Sequence, residues 1–370
     1  MKRIIYPERD NWQQRHLDIG FDYYNLPSTD GSIYWSEGVS YEFHLKQIEQ
    51  LEDAANELHQ MCLQVADRII QSGDYPDYFQ IPQTAIPSIE YSWKAKAPML
   101  YGRFDFAYDG QNIKMLEYNA DTPTGLLEAS VAQWHWIEEV QNVPHRDQFN
   151  SIHEDLIERW KQLFAPKSLI HFAACQEAGR EDWGNLEYLM DTAFQAGLSV
   201  SELSMENLGW DQTQFVDLND QAIHHLFKLY PWEWIWEENF STFIKPDSQW
   251  IEPCWKMLLS NKAILVELWK QFPHHPLLLE SHAFNPNDRF NGKWVRKPIL
   301  AREGANIHII QNNVDCGEAS GSFHFKDYDK YGYIMQKWAP TPLHEGMLPT
   351  LGLWMVGDEC SGLSIREDVY

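Results

Sequence analysis

Basic residues are scarce in this chain of 370 residues. It contains 29 Lys and Arg against 54 Asp and Glu, which gives a net charge of −25 at pH 7. A surface this acidic repels phosphate backbones and anionic lipid headgroups, so neither nucleic acid nor membrane is expected as a partner. No apolar run approaches the roughly 18 residues of a spanning helix, and the N-terminus lacks the apolar core of a signal peptide. We therefore expect a cytoplasmic protein whose surface attracts cations, including amines.

Cysteine is also rare, and several familiar motifs are missing. The five cysteines are far apart and form no C-x-x-C pair, which indicates reduced thiols rather than a disulfide framework or a zinc site. The sequence contains no G-x-G-x-x-G, G-x-S-x-G or H-E-x-x-H, so it offers no familiar dinucleotide, serine-hydrolase or zinc-protease signature. What is abundant is core material, because 44% of the residues are hydrophobic and 17 are Trp. The length suggests roughly two to three structural units.

The periodicity of apolar residues predicts a mixed order of helices and strands. Apolar residues at spacings of three and four predict a long helix over 41–72. Residues 168–203 are typical of a strand, a helix and a second strand, and so of a small α/β unit. A further helix is expected over Leu126–Ile137, with Thr122 as its cap and Pro123 in its first turn. The last third of the chain is expected to form one antiparallel sheet with a helix over 256–270.

Residues 100–119 predict a β-hairpin with a polar face. If Asp105 pairs with Glu117, then Arg103 pairs with Asn119, and all four side chains project to the same side because strand side chains alternate. The other face would hold the apolar side chains, which are Phe104, Phe106, Tyr108, Leu116 and Tyr118. Two carboxylates and an amide oxygen suit Mg²⁺, which takes its remaining ligands from water and substrate phosphates. An ordinary solvated hairpin face would show the same alternation, so spacing alone leaves both interpretations open.

A second candidate segment runs from Lys297 to Asn306. A strand ends near Lys297, and the loop that follows contains Gly304 and Ala305. Small residues let backbone N–H groups approach phosphate oxygens, while lysine supplies positive charge. A surface turn would have a similar composition, so the segment alone does not decide between the two.

These segments resemble the glutathionylspermidine synthetase family, and in particular its stand-alone members described as acid–amine ligases. The resemblance covers nearly the whole chain and lies in four motifs, which are Arg103-Phe-Asp105 with Leu116-Glu117-Tyr118-Asn119-Ala120-Asp121-Thr122-Pro123-Thr124, Ser260-Asn-Lys262-Ala-Ile-Leu, Lys297-Pro-Ile-Leu-Ala-Arg-Glu-Gly-Ala-Asn306 and Gly362-Leu-Ser-Ile-Arg-Glu-Asp368. The resemblance implies an α+β, ATP-grasp fold in the permuted order of glutathione synthetases, with an inserted small α/β subdomain. It also implies that the family's pattern continues past Tyr370, so the sequence is expected to be either truncated or naturally short.

The resemblance assigns roles position by position. Asp105 and Glu117 would bind one Mg²⁺, Glu117 and Asn119 would bind a second, and Arg103 would contact ATP and stabilise the transition state. The remaining ATP-binding positions would be Lys262, Lys297, Glu303, Gly304, Gln336, Lys337, Trp338, Ala339, Ser364 and Ile365. Thr122 and Thr124 would bind the substrate carboxylate at a helix N-terminus. Glu181 and Asp182 could hold the cationic amine, although carboxylates that cap a helix would look the same.

Together these expectations give three segments and a function. Residues 1–145 would hold the N-terminal helical part and the metal hairpin, 146–255 the substrate-side α/β subdomain, and 256–370 the nucleotide-binding lobes. The expected reaction is ATP-dependent, ADP-forming ligation of a small-molecule acid to an amine through an acyl phosphate. A regulatory nucleotide-binding protein and a phosphotransferase are the alternatives. The identity of the acid and the amine and the oligomeric state do not follow from the sequence.

Overall fold

The computed structural model describes residues 1–26, 33–144, 146–302, 304–319 and 324–369. Its strands are β1 (Lys2–Ile5), β2 (Val39–Glu42), β3 (Tyr101–Tyr108), β4 (Ile113–Asn119), β5 (Leu169–Ala174), β6 (Ser199–Ser204), β7 (Gly209–Trp210), β8 (Phe215–Val216), β9 (His225–Leu229), β10 (Gln249–Ile251), β11 (Ser281–Ala283), β12 (Lys293–Pro298), β13 (His308–Gln311), β14 (Val314–Glu318), β15 (Tyr333–Lys337), β16 (Met347–Val356) and β17 (Glu359–Val369). Its α-helices are α1 (Trp12–Asp18), α2 (Leu45–Ser72), α3 (Ile86–Lys94), α4 (Gln133–Glu139), α5 (Ile152–Leu163), α6 (Arg180–Gln195), α7 (Trp232–Ile235), α8 (Met257–Ser260) and α9 (Ile264–Gln271).

The larger strands form three sheets. A parallel sheet in the order β10-β9-β5-β6 contains the strand–helix–strand unit that was predicted over 168–203. A five-stranded antiparallel sheet follows the order β11-β15-β12-β13-β14. A four-stranded antiparallel sheet follows the order β17-β16-β3-β4. Within the described ranges, no helix combines the length and apolar character that crossing a membrane requires.

The four-stranded sheet corrects the prediction for the last third of the chain. Strands β16 and β17 do not join β12 and β15; instead β16 pairs with β3, about 250 residues earlier in the sequence. Local alternation predicts that a segment is a strand but carries no information about a partner that far away. One sheet therefore combines β3 and β4, from the first third of the chain, with β16 and β17, from its end.

The predicted register of the first hairpin is confirmed. Asp105 lies opposite Glu117 and Arg103 lies opposite Asn119. The pairing then shifts between Asp105 and Phe106, so that Met115 rather than Leu116 continues the buried face. The assignment of Leu116 to that face is therefore wrong, because a bulge places one extra residue in β4. This bulge leaves the Leu116 carbonyl free to accept a hydrogen bond from elsewhere in the site.

Apolar packing holds the far face of this sheet in place. Helix α2 lies within the range predicted for it, and its buried stripe joins the same core cluster as Phe104, Phe106 and Met115. Phe104 and Tyr118 stack with ring centroids 3.8 Å apart. With one face covered in this way, the opposite polar face is the one available to ligands.

Two further helix predictions need correction. The helix expected over 256–270 is divided into α8 and α9, with Asn261 and Lys262 between them. The helix expected from Leu126 includes a π-helical turn at Glu128–Ala132 before α4. Thr122 does not cap it; the backbone N–H of Leu126 donates to Oδ1 of the fully buried Asn185 at 2.8 Å. The cap comes from α6, a contact that neighbouring sequence does not reveal.

Candidate active site

The polar face of the four-stranded sheet gathers residues from all four strands. One row across the sheet is Ser364, Gly352, Asp105 and Glu117, and the next is Gly362, Trp354, Arg103 and Asn119. Gly352 leaves room in the first row, since a Cβ there would lie 3.0 Å from Cδ of Arg103 and 2.8 Å from Oγ of Ser364. The Trp354 indole donates to Ser364 Oγ at 3.0 Å.

Arg103 is fixed at the centre of this face. Its Nε donates to Asp105 Oδ1 at 2.8 Å, and its Nη1 donates to the carbonyl of Thr124 at 2.6 Å. The guanidinium also lies 5.5 Å from the centroid of the Trp354 ring. Arg103 is only 7% exposed, so this hydrogen-bonded position is sheltered from bulk water.

Asp105 also pairs with a second arginine, Arg366, to which the sequence analysis assigned no role. Nη2 of Arg366 donates to Asp105 Oδ2 at 2.5 Å. Burial lowers the pKa of Arg366, but the neighbouring Asp105 carboxylate outweighs this and raises it overall. Arg366 lies in a segment quoted for its family resemblance, but only its pairing across the sheet reveals the contact with Asp105.

Glu117 and Asn119 adjoin Asp105 and meet a lysine from another element. Asn119 Nδ2 lies 3.1 Å from Glu117 Oε1 and 3.4 Å from Asp105 Oδ2. Lys262 Nζ lies 3.1 Å from Glu117 Oε2 and donates to the Ala301 carbonyl at 3.0 Å. Burial raises the pKa of Glu117, but the nearby Lys262 and Lys297 outweigh it and hold that pKa well below its usual range. Glu117 is therefore ionised at neutral pH.

The edge of β4 meets the five-stranded sheet at Lys297 and Gln336. Lys297 Nζ donates to Gln336 Oε1 at 2.7 Å and to the Leu116 carbonyl at 3.1 Å. Gln336 Nε2 donates to the Met115 carbonyl at 3.1 Å. Burial lowers the pKa of Lys297 to about 8, with Glu117 acting in the opposite direction. Lys297 and Lys262 thus approach the same carboxylate from two elements.

A small cleft lies beside the end of β4. Its lining residues are Asn119, Asp121, Thr122, Pro231, Glu233, Ser260, Leu300, Ala301 and Arg302. Arg302 Nη2 donates to Thr122 Oγ1 at 2.6 Å, and Ser260 Oγ accepts from the Ala120 N–H at 3.0 Å. Burial raises the pKa of Glu233, and the negative charge of Asp121 adds to the increase. The cleft thus joins the expected metal ligands to the expected substrate loop.

The remaining residues predicted to bind the nucleotide lie in different surroundings. The Lys337 ammonium is exposed and lies 3.6 Å from Glu280 Oε2, while Trp338 receives the ammonium of Lys293 at 3.6 Å from its ring centroid. Ile365 packs against the main apolar core cluster. Ala339 follows β15 and is partly buried, and Gly304 adopts a positive φ of 71°. Glu303 lies outside the described residues.

Glu181 and Asp182 occupy the first turn of α6, as the helix-capping interpretation also expects. Glu181 is a neighbour of Glu128, whose pKa rises to about 7 through burial first and the Glu181 charge second. Glu181 therefore lies near the start of the helix after Thr124.

Sequence reasoning missed contacts made by arginine, serine and aspartate around the predicted residues. These are Arg366, Arg302, Ser260 and Asp121. All four stand within the quoted motifs, so their positions were visible. Their partners lie between 107 and 261 residues away in the sequence, which is why the contacts were not.

Within the described ranges, no group of three or more His, Cys, Asp and Glu side chains is arranged to hold a metal ion. The convergent set is instead two carboxylates and an amide, with Asn119 within 3.4 Å of both Asp105 and Glu117. Hard oxygen donors in this small number fit Mg²⁺ bound together with a phosphate ligand, and they do not form a closed protein cage.

The fold has a counterpart among solved structures. A glutathione synthetase-like effector from Globodera pallida, solved in its apo form, superposes with a TM-score of 0.59. The alignment covers 99% of this chain and 97% of that one, at 10% sequence identity. The chain therefore has a mixed α/β fold of the glutathione synthetase-like type.

Sequence comparison identifies the family. The family model described as "Glutathionylspermidine synthase preATP-grasp" matches residues 3–370, so the chain belongs to the glutathionylspermidine synthase family. A protein from Haemophilus influenzae named "Putative acid--amine ligase" is 48% identical over 377 residues, covering all of this chain and 95% of that protein. The predicted family, with its stand-alone acid–amine ligase members, is confirmed.

Longer relatives carry synthetase names. Trypanothione synthetase of Crithidia fasciculata is 27% identical across 89% of this chain, and the bifunctional glutathionylspermidine synthetase/amidase of Escherichia coli is 26% identical across 86%. The chain spans 53% and 55% of these two proteins, about half of each. The named relatives are ligases, and they support the classification of this chain as a C–N ligase.

Proposed function

We propose that the protein is an ATP-dependent, ADP-forming acid–amine ligase that forms an amide through an acyl phosphate. The observation that carries the proposal is that two lysines from different parts of the chain lie beside the Glu117 carboxylate. Glu117, on the four-stranded sheet, lies 3.1 Å from Lys262, and Lys297 of the five-stranded sheet reaches the neighbouring Leu116 carbonyl. Such an arrangement suits a triphosphate held between two lobes, as in an ATP-grasp fold of permuted order with an inserted α/β subdomain.

The first step is transfer of the γ-phosphoryl group to the substrate carboxylate. Phosphoryl transfer depends mainly on positioning and on stabilisation of negative charge. Lys262 and Lys297 would bind the phosphates, and Gln336 would orient Lys297 through its 2.7 Å hydrogen bond. Asp105, Glu117 and Asn119 would hold two Mg²⁺ ions, which neutralise charge on the phosphate oxygens when bound. Glu303, Gly304, Lys337, Trp338, Ala339, Ser364 and Ile365 remain proposed nucleotide neighbours.

The second step is attack of the amine on the acyl phosphate. A tetrahedral oxyanion forms and phosphate leaves, so a fixed cation near the reacting carbon lowers the barrier. Arg103 would be that cation, because its guanidinium is held by both Asp105 and the Thr124 carbonyl. Thr122 and Thr124 would bind the acid substrate, and Glu181 and Asp182 would bind the amine. Enclosure of this site would protect the acyl phosphate from hydrolysis.

The substrate class follows from charge as well as from the relatives. We propose a peptide or amino acid as the acid and a polyamine-like cation as the amine, acting in the cytoplasm. A net charge of −25 favours cationic amines over polyanions outside the site. Residues 146–255 would form the substrate side, and the segments 1–145 and 256–370 would supply the metal hairpin and the nucleotide lobes.

The experiment is ADP release from ATP and Mg²⁺ across a matrix of acids and amines, with mass spectrometry of the products. Glutathione, short peptides and amino acids are crossed with spermidine, putrescine and diamino acids. Release that requires one acid and one amine, with a product lighter than their sum by one water, supports the ligase. Turnover that requires only an acceptor, with a stable phosphorylated product, indicates a phosphotransferase. Nucleotide binding without turnover on any pair contradicts the proposal and favours a regulatory protein.

A matched pair of variants ties this activity to the site. Glu117→Gln removes a proposed metal ligand, and we expect at least a hundredfold loss of kcat with the fold intact. Glu158→Gln is the control, because Glu158 is an exposed carboxylate on α5 beside Lys161. Normal turnover in Glu117→Gln contradicts the two-metal site.

A further inference from the structure

A buried ion pair joins the end of the metal hairpin to the α/β unit. Lys228 Nζ, on β9, donates to Asp121 Oδ1 at 2.6 Å. Lys228 is 0% exposed and Asp121 is 3% exposed. The other oxygen of Asp121 accepts from the backbone N–H of Trp232 at 3.0 Å. Both carboxylate oxygens are therefore engaged by residues of a different part of the chain.

The pair lies where the expected ligands are concentrated. Asp121 is two residues after Asn119 and directly before Thr122, and all three line the cleft. The facing wall holds Pro231 and Glu233, which flank Trp232. The contact between Asp121 and Trp232 therefore connects one wall of the cleft to the other.

Few other contacts fix this end of β4. The strand ends at Asn119, the Ala120 N–H donates to Ser260 Oγ, and the Thr122 hydroxyl accepts from Arg302. The Asp121 contacts differ from these because they include a buried pair of opposite charges and engage both carboxylate oxygens. The Lys228 ammonium also lies 4.7 Å from the centroid of the Trp232 ring, which holds both residues of the facing wall together.

We infer that Asp121 and Lys228 are positioning residues that hold Asn119 in place for metal binding and set the width of the substrate cleft. This inference rests on the proposed function, since it assumes that Asn119 is a metal ligand. Residues that orient a ligand through a second contact typically change metal affinity or activity 10- to 100-fold when removed. A purely structural ion pair would change stability and leave metal affinity alone.

The test measures the Kd of Mn²⁺ for the ATP-bound full chain by electron paramagnetic resonance. The main variant is Asp121→Ala/Lys228→Met, which removes both charges together and so leaves neither one buried and unpaired. We expect its Kd for Mn²⁺ to rise roughly 10- to 100-fold, with metal-free ATP affinity within about twofold of wild type because Lys262 and Lys297 are untouched. Asp121→Asn/Lys228→Met retains an acceptor for the Trp232 N–H and should give a smaller increase. This milder variant carries the test if the first does not fold.

A remote ion pair supplies the control. Arg9 Nε donates to Glu37 Oε1 at 2.6 Å, and both side chains are as buried as the Asp121 pair. Arg9→Met/Glu37→Gln should lower Tm without changing the Kd for Mn²⁺. Wild-type Mn²⁺ affinity in the Asp121 variants, with a fall in Tm alone, overturns the inference. Failure of the wild-type protein itself to bind Mn²⁺ counts instead against the proposed metal site.

Discussion

Gly352→Ala should lower the kcat of the folded protein. Gly352 lies on β16 opposite Asp105, and a Cβ there would approach Cδ of Arg103 to 3.0 Å and Oγ of Ser364 to 2.8 Å. Both distances are shorter than ordinary van der Waals contact, so the side chains must shift. The Arg103 stem can shift only by disturbing its hydrogen bonds to Asp105 and to the Thr124 carbonyl.

The size of the effect follows from this geometry. Misplacement of a catalytic group by about 1 Å costs on the order of a hundredfold in rate, and a methyl group displaces Arg103 by less than that. We therefore expect kcat to fall roughly 10- to 100-fold. Overpacking costs about 1–3 kcal/mol of unfolding free energy, and replacing Gly by Ala recovers about 0.4–1 kcal/mol through the unfolded chain. The net loss of unfolding free energy is then roughly 0–2.6 kcal/mol, which is comparable to the roughly 1.4–2.7 kcal/mol of a 10- to 100-fold fall in rate, so kcat is measured per folded molecule.

The assay is ADP release with the acid–amine pair found for wild type, alongside ATP affinity and urea unfolding. Gly102→Ala is the matched control, because its Cβ would meet the Tyr118 ring at 2.9 Å on the opposite, apolar face of the same sheet. We expect that control to lose stability while its kcat per folded molecule stays unchanged. Wild-type kcat in Gly352→Ala would refute the reasoning that places Arg103 at the reacting atoms.

Three further predictions address binding, capping and pH. Lys297→Met should weaken ATP binding by about 1.5–3 kcal/mol, or roughly 10- to 150-fold, as a lost charge-assisted hydrogen bond, whereas Lys161→Met, whose ammonium is exposed near Glu158 on α5, should bind ATP normally by calorimetry. Asn185→Ala should lower the free energy of unfolding by about 0.5–2 kcal/mol, because Leu126 N–H loses its acceptor; an unchanged urea midpoint would contradict this. Burial raises the pKa of Glu37, but the nearby His16, whose Nε2 lies 3.7 Å from Oε2, and hydrogen bonds from Arg9 and Trp35 outweigh it and lower the pKa to about 2. The resulting stabilisation of roughly 3 kcal/mol is present above pH 4.5 and disappears as the pH falls towards 2, so the stability difference between wild type and Glu37→Gln should shrink over that interval.

The register of the hairpin could be predicted because it depends on residues that are close together in the sequence. A turn between two alternating segments leaves few registers that bury every apolar side chain, and one of them pairs Asp105 with Glu117. The bulge after that pair could not be predicted, because Met115 and Leu116 are equally suited to the buried face. The contact that uses the freed Leu116 carbonyl comes from Lys297, far along the chain.

The cap of the helix after Thr124 is a second feature that local sequence could not predict. Thr122 and Pro123 have the residue types of a helix start, and local reasoning chose them. The structure begins the helix at 126 as predicted but caps it from Asn185, while the Thr122 hydroxyl accepts from Arg302 and the Pro123 carbonyl accepts from Tyr101. Tertiary contacts have thus taken over the polar groups that local propensity assigned to a cap.

The proposed triphosphate site requires local positive charge in an acidic protein. On the polar sheet face, the described residues place the cations Arg103, Arg366, Lys262 and Lys297 around the carboxylates of Asp105 and Glu117. The local surplus is positive although the whole chain carries −25. Sheltered charges are screened less than exposed ones, so this local field persists at salt concentrations that weaken the repulsion from the outer surface. The proposed preference for a small anion with its Mg²⁺ over long polyanions rests on where the charges lie rather than on their sum.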